Sequence, residues 1–272
     1  MAHRRGFSLI ELLVVVAVIA LLVSVLVPAL SSAKQASRLM VSLSNVRQIT
    51  AGALTYTYEN RDAWPISPGD ATWHTLGATT SSFWDNSANE RRVDQKHFNP
   101  YVYPDIDLRD TSETERLELE LFRCPGDDAT YQRSWLQTGN PAPDYTITSY
   151  EDVGTSYHVN QGYWWLNPPP EEASMPPSQR WASVERRTQH MFRRALQRRA
   201  SNFVWLFDQK FDLLVTYDRE VPGNHGGLNR SVAGYLDGHA SYVNVEPGVA
   251  ETDEYQVVFN PPGYGSTASG GK

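Results

Sequence analysis

The sequence predicts an α+β fold, in which a long N-terminal α-helix packs on a globular head with an antiparallel β-sheet. Three observations lead to this prediction. Residues 12–33 carry no charge, and an amphipathic helical pattern follows them directly. Proline and glycine become frequent only after residue 60, which marks the change from helix to head. Residues 203–245 alternate short apolar runs with turn residues, a pattern typical of antiparallel strands.

The uncharged stretch is long enough to cross a membrane. It spans 22 residues, from Leu12 to Ala33, and a bilayer core needs about 20 helical residues. Arg4 and Arg5 precede it, and the positive-inside rule places such a basic end in the cytoplasm. A secretory signal peptide has a shorter apolar stretch, of about 7–15 residues, before its cleavage site. A signal peptide, a plain single-pass anchor and a processed membrane helix are therefore the three alternatives.

The amphipathic continuation predicts that the second half of the helix docks on the head. Its apolar residues recur at spacings of three and four: Ala36, Leu39, Leu43, Val46, Ile49 and Ala53. This spacing places them on one helical face. The helix is expected to end near Asn60, because polar residues and then Pro65 follow.

Glu11 directly precedes the uncharged stretch. A charged side chain near the centre of a membrane helix costs about 2.5–3.5 kcal/mol, and less at the interface. Glu11 therefore either lies at the level of the lipid headgroups, where it costs little, or requires a nearby cation.

Residues 4–12, Arg-Arg-Gly-Phe-Ser-Leu-Ile-Glu-Leu, resemble the type III signal of type IV prepilins and type II secretion pseudopilins. The resemblance implies that a prepilin peptidase cleaves after Gly6 and that Phe7 is then N-methylated. The freed amine of Phe7 is four residues from Glu11, and residues four apart are neighbours on a helix. It could pair with Glu11 of its own subunit or of the next one. Pro28 lies inside the helix, as in many pilins, and is expected to kink it.

The resemblance implies a chain that begins in the bacterial inner membrane, with its leader cytoplasmic and its head extracytoplasmic. Subunits of the same or related kinds would then build a periplasmic or cell-surface filament, either a type IV pilus or a secretion pseudopilus. The alternative is an anchored extracytoplasmic binding protein that does not polymerise. The expected parts are a leader (1–6), a transmembrane and assembly helix (7–33), its amphipathic continuation (34–60), a pilin-like head (61–260) and a disordered tail (261–272).

The head is predicted to combine short helices, strands and proline-rich loops. The expected elements are loops with short strands in 61–111, a helix from the capping box at 112–115 to about 122, loops in 140–177, a helix over 180–199, strands over 203–207 and 213–217, and a hairpin of strands 231–236 and 239–245. The helix over 180–199 carries seven arginines. They either contact an acidic neighbour or phosphate groups, or form a solvated face balanced by nearby acids.

His225 and Asp237-Gly238 resemble a C-terminal pattern of many bacterial prepilin-like proteins, a His followed after nine residues by Asp-Gly. Eleven residues, 226–236, separate them here. Three other stretches fit the same family: Asn45–Ile49 with Trp64-Pro65, Phe122-Arg-Cys-Pro125 and Ser156-Tyr-His-Val-Asn160. The resemblance supplies no biochemical role for this region.

We expect no enzymatic activity and no cofactor. The chain has no Gly-rich phosphate loop and no His-Glu-x-x-His motif, and Cys124 has no histidine close in sequence. His225, Asp237 and His239 are weak candidate ligands for a divalent metal, since an Asp-Gly pair is first of all a turn. The formal charge of −7 gives no reason to expect nucleic-acid binding.

Overall fold

The computed structural model describes residues 9–66, 75–81, 83, 93, 96–107, 117–160 and 174–257. Their elements are α1 (Leu9–Glu59), α2 (Asn99–Val102), a 3-10 turn (Glu120–Phe122), α3 (Gln132–Thr138), α4 (Ser149–Val153), β1 (Tyr157–Val159), α5 (Pro177–Arg198), β2 (Val204–Asp208), α6 (Gln209–Tyr217), β3 (Arg230–Tyr235) and β4 (Ala240–Asn244). The α+β prediction is confirmed. The predicted leader 1–6, Phe7 and the predicted tail 261–272 lie outside the described residues.

Helix α1 has two halves with opposite surroundings. It runs for 51 residues, or about 77 Å at 1.5 Å per residue. Burial begins only at Ser42 and continues to Thr57. The docking stripe is confirmed from Leu43 to Ala53, but Ala36 is exposed and Leu39 is only partly buried. The head therefore covers less of the helix than the apolar pattern predicted.

Pro28 does not interrupt α1. Because proline has no backbone N–H, it cannot donate to the carbonyl of Ser24 one turn earlier. Two serines on this part of the helix donate to carbonyls of the preceding turn: Ser24 to Leu21, at 2.7 Å, and Ser32 to Pro28, at 3.1 Å.

The four strands form one antiparallel sheet in the order β1-β2-β3-β4. The hairpin of β3 and β4 pairs Arg230 with Asn244 at one end and Gly234 with Ala240 at the other. Asp237 and Gly238 lie in the turn between these strands, and Gly238 has a φ of 98°. The predicted hairpin and its Asp-Gly turn are confirmed.

The sheet has an apolar core on each face. On one face, β2 and β3 pack against α1 and α5, with Trp205, Val46 and Phe192 in the same cluster. On the other face they pack against α6 and the segment 245–257, with Phe211 and Tyr255 in the same cluster. The sheet is thus the central layer, and α1 is one of its covers.

Four sequence predictions for the head need correction. The stretch 140–177, predicted as loops, contains α4 and β1. Residues 213–217 are not a strand but the end of α6. Asp208 caps the N-terminus of this helix by accepting a hydrogen bond from the backbone N–H of Lys210. In addition, the side chains of Phe211, Leu214 and Val215 form one apolar helical face. The described end of the helix predicted over 112–122 is only a 3-10 turn, and its capping box lies outside the described residues. In 61–111 the described residues contain α2 and no strand.

Candidate assembly site

The N-terminal half of α1 is an apolar rod that no described part of the head covers. An 18-residue window of this helix has a mean hydropathy of 3.2, and none of it is buried. Its large apolar side chains are 48–78% exposed from Leu9 to Leu30. Soluble proteins rarely expose such a large continuous apolar surface. The rod is long and apolar enough to span a membrane and must be covered by lipid or by protein.

Glu11 lies in the first turn of α1 and is exposed. A carboxylate at this place is favoured, because the N-terminus of a helix carries a partial positive charge. Gly6 and Phe7 lie outside the described residues, so cleavage, methylation and the pairing of Glu11 with the Phe7 amine stay predictions.

Polar contacts hold the other half of α1 to the head. Trp205 Nε1 donates to Thr50 Oγ1 at 3.0 Å, and Asn45 donates to the carbonyl of Arg123 at 3.1 Å. Trp64, just beyond the helix, stacks on Phe192 with ring centroids 5.5 Å apart. These contacts involve two of the stretches that resemble prepilin-like proteins, those around Asn45 and Phe122.

Two further motif residues, Ser156 and His225, meet Cys124 near the start of the docked half of α1. Cys124 Sγ lies 3.3 Å from Ser42 Oγ on α1 and 3.5 Å from His225 Nε2. The Cys124 backbone N–H donates to Ser156 Oγ at 3.0 Å, and that hydroxyl donates to Asp127 Oδ2 at 2.6 Å. We call Ser42, Cys124 and His225 the latch, because they join α1, the Cys-Pro turn and the loop before β3.

Close backbone packing supports the latch. A Cβ atom at Gly126 would overlap the carbonyl oxygen of Asn224, so only glycine allows the two loops to approach this closely. The His225 ring also packs edge-to-face on Tyr242, with centroids 6.0 Å apart. The latch is a buried packing contact. In the sequence, it was indicated by the resemblance of the motif stretches to prepilin-like proteins and not by the spacing between those stretches.

The electrostatics of the latch do not favour a nucleophile. Burial raises the pKa of the Cys124 thiol to about 12, and the negative charge of Asp208 adds to this rise. Burial lowers the pKa of His225 to about 4, and the positive charges of Lys210 and Arg38 lower it further. Both side chains are therefore neutral near pH 7. A thiol without thiolate character is a poor nucleophile.

The candidate metal ligands are not brought together. Asp237 and His239 are neighbours in the hairpin turn, with Asp237 Oδ1 2.6 Å from His239 Nδ1. His225 precedes the opposite end of β3, and a strand of six residues is about 20 Å long. Within the described residues, no group of three or more His, Cys, Asp or Glu side chains could hold a metal ion. The separation follows from the strand between the loop and the turn.

We expect the replacement of His225 by Gln to destabilise the protein at pH 7 and to do so less at pH 4.5. The unfolded histidine binds a proton near pH 6.5, whereas the folded one does so only near pH 4. The stability that neutral His225 contributes is therefore present above about pH 6.5 and lost as the pH falls towards 4. Denaturant unfolding of the full-length protein in detergent, at both pH values, measures the difference between wild type and variant.

His239→Gln is the matched control, because it removes a half-exposed imidazole at the other end of β3. The comparison separates an effect specific to the latch from the general loss of an imidazole. A constant or growing effect of His225→Gln between pH 7 and pH 4.5 would contradict the assignment of a neutral, buried imidazole to the latch.

Comparison with known proteins gives one match, which covers the N-terminal part of the chain. Residues 1–27 match the family model of the prokaryotic N-terminal methylation motif. This match supports the prepilin resemblance of residues 4–12, and it extends through most of the apolar half of α1. Comparisons with curated proteins and with solved structures gave no match.

Proposed function

We propose that this chain, which carries the prokaryotic N-terminal methylation motif, is a structural subunit of a type IV pilus-like or type II secretion pseudopilus filament. It is made as a membrane-inserted prepilin, cleaved after Gly6 by a prepilin peptidase and N-methylated at Phe7. The observation that supports the filament role is the exposed apolar half of α1, which continues without a break into the half docked on the head.

The apolar half of α1 serves two environments in turn. Before assembly it crosses the inner membrane once, with the basic leader in the cytoplasm and the head outside. After cleavage it leaves the lipid and packs among the same helices of other subunits. Close van der Waals packing can hold apolar helices together where water offers no driving force. The apolar side chains that are exposed in the single chain are then covered by lipid before assembly and by neighbouring helices after it.

Glu11 gives the movement of α1 from the lipid into the filament a direction, and it sets the register between neighbouring helices. The Phe7 amine, once freed, is a cation, and a carboxylate attracts it strongly in surroundings of low dielectric constant. A subunit that entered the helical core with either charge alone would leave it unpaired, which is strongly unfavourable. Pairing between neighbouring subunits therefore favours one axial step between helices.

The head contributes a fixed orientation relative to the helix. The latch joins the head to α1 at Ser42, and Trp205 joins it at Thr50, two turns further on. Since the helix is continuous between these points and the apolar half, a step between helices in the core sets a matching step between heads at the surface. We infer that the buried motif residues of the head maintain this alignment.

Crosslinking through α1 tests the filament against a static anchor. One cysteine replaces Leu12, a second replaces each residue from 16 to 27 in turn, and cells are treated with a thiol crosslinker. Cys124 should not compete, because its buried thiol has a pKa near 12. A filament gives ladders of three or more copies at positions that recur every three or four residues. Monomers at every position would favour the anchored binding protein that does not polymerise.

A further inference from the structure

Positive charge in this chain is concentrated in one helix. Residues 180–199 hold seven arginines and one acid, Glu185, for a formal charge of +6; because the whole chain carries −7, the remainder carries −13. Such a separation of charge gives the protein two surfaces of opposite sign. Complementary potentials of this kind orient partners and speed their encounter.

The cations are presented along one face of α5. We call the exposed residues Arg186, His190, Arg193, Arg194 and Arg198 the cationic face. Four of them, Arg198 being the exception, line a groove of about 650 Å³ on this helix. The opposite side of α5 is buried through Met191, Phe192 and Ala195, so the helix cannot turn its cations inwards.

Within the described residues, most of the cationic face forms no ion pair. Arg193 donates to the carbonyls of Asp62 and Arg61, at 3.1 and 3.2 Å. In the part of the chain that the structure describes, Arg186, Arg194 and Arg198 form no ion pair. The expected alternative, a solvated face balanced by nearby acids, is met at the end of the helix. There Arg199 pairs with Glu251 at 2.8 Å.

The segment after β4 presents carboxylates on the other face of the sheet. We call the exposed residues Glu246, Asp253 and Glu254 the acidic strip; among the described residues none of them forms an ion pair. Tyr255 packs on Phe211 and accepts from Glu246 N–H at 3.0 Å, so the strip is fixed to the core. The Arg199–Glu251 pair shows that this segment already binds an arginine of the same cluster.

We infer that the cationic face of one copy binds the acidic strip of a second copy of this chain. The two surfaces pack on opposite faces of the sheet, and among the described residues the ion pair between their sides is Arg199 with Glu251, which belong to neither surface as defined. A contact between two different surfaces of identical subunits repeats head to tail, and it builds an open filament when the rotation between subunits does not close a ring. This inference rests on the proposed filament function and adds a contact between heads to the packing between helices.

Crosslinking between two full-length variants in one cell tests the contact. One copy carries Arg194→Cys and the other Glu254→Cys, and a flexible bis-maleimide joins only thiols that lie close together. We expect mixed dimers from the pair, at least about fivefold above either variant alone, and fewer at high salt because exposed charges are screened. Gln48→Cys with Glu254→Cys is the control, since Gln48 is exposed on α1 and does not belong to the cationic face.

Charge reversal gives a second readout that does not need thiols. Arg194→Glu should reduce the amount of assembled protein, and Glu254→Arg in the same chain should restore it, because every contact then joins a new Arg to a new Glu. A mixed-dimer yield no higher than the control, with no rescue by the double variant, overturns the inference. If the α1 ladders persist in that case, only the head contact is wrong. Head crosslinks without α1 ladders support the contact and contradict the filament core.

Discussion

Copies that carry Glu11→Ala are expected to reach the membrane in normal amounts and to fail to assemble. Removal of a charge at the start of the apolar stretch makes insertion easier, so the membrane level should not fall. Assembly, however, would leave the Phe7 amine without its carboxylate in the helical core. An unpaired buried charge costs about 3–5 kcal/mol, and each 1.4 kcal/mol is about tenfold in an equilibrium constant. Filament yield should therefore fall about a hundredfold or more.

Sedimentation of sheared filaments, with the membrane fraction measured in parallel, separates the two steps. Glu11→Gln keeps the shape of the side chain and should fail as Glu11→Ala does. Ser24→Ala is the matched control in the same apolar half, because among the described residues its hydroxyl donates to the backbone of its own helix. Normal filaments from the Glu11→Ala variant would defeat the pairing hypothesis.

Replacement of Gly234 by Ala is expected to push α1 away from the sheet. A Cβ at this position in β3 would lie 2.5 Å from Val46 Cγ1, a fully buried methyl group on the docked half of α1. Overpacking of a tight core costs about 1–3 kcal/mol. This exceeds the gain of about 0.4–1 kcal/mol from a less flexible unfolded chain. We therefore expect a lower free energy of unfolding.

Tryptophan fluorescence in denaturant measures this change in full-length protein in detergent, because all eight tryptophans lie beyond residue 60 and report on the head. Val46→Ala removes the obstructing methyl group. The double variant should be less destabilised than the sum of the two single variants, by about 0.5–3 kcal/mol. Strict additivity would mean that Gly234 and Val46 do not meet, and the described docking of α1 would be wrong.

The features that sequence predicted well depend on local chemistry. The docked stripe followed from helical spacing, since Leu43, Val46 and Ile49 lie on one face whatever they pack against. The hairpin followed from Asp237-Gly238, because the turn chemistry acts over only a few residues. The uncovered apolar half of α1, long enough to span a membrane, followed from composition alone.

The features that sequence missed depend on contacts distant along the chain or on caps. The last five residues of α6 were predicted as a strand. That prediction rested on their apolar run and left out the capping carboxylate of Asp208 at the start of the helix. Helix α4 was missed although Thr148 and Glu151 form a complete capping box at its start. A polar pair three residues apart is easily overlooked within a loop-like composition.

The latch could not be derived from spacing. Ser42 and Cys124 are 82 residues apart, and Cys124 and His225 are 101 residues apart. Their approach depends on how the whole head folds around α1. Asp237 and His239, the candidate partners of His225 in the sequence, are nearer along the chain but lie beyond the other end of β3. Proximity in sequence was misleading here, because the extended strand β3 places His225 and the hairpin turn at opposite ends.

The N-terminal residue of the protein and its mass, determined on material from the membrane of the native host, test the central claim most directly. The Gly6→Leu variant serves as the control, since a larger residue at this position should block cleavage and keep the leader. We predict an N-methylated Phe7 in the wild type. An intact Met1 would contradict prepilin processing and favour a static anchor, and an N-terminus near residues 30–35 would contradict it in favour of an ordinary signal peptide.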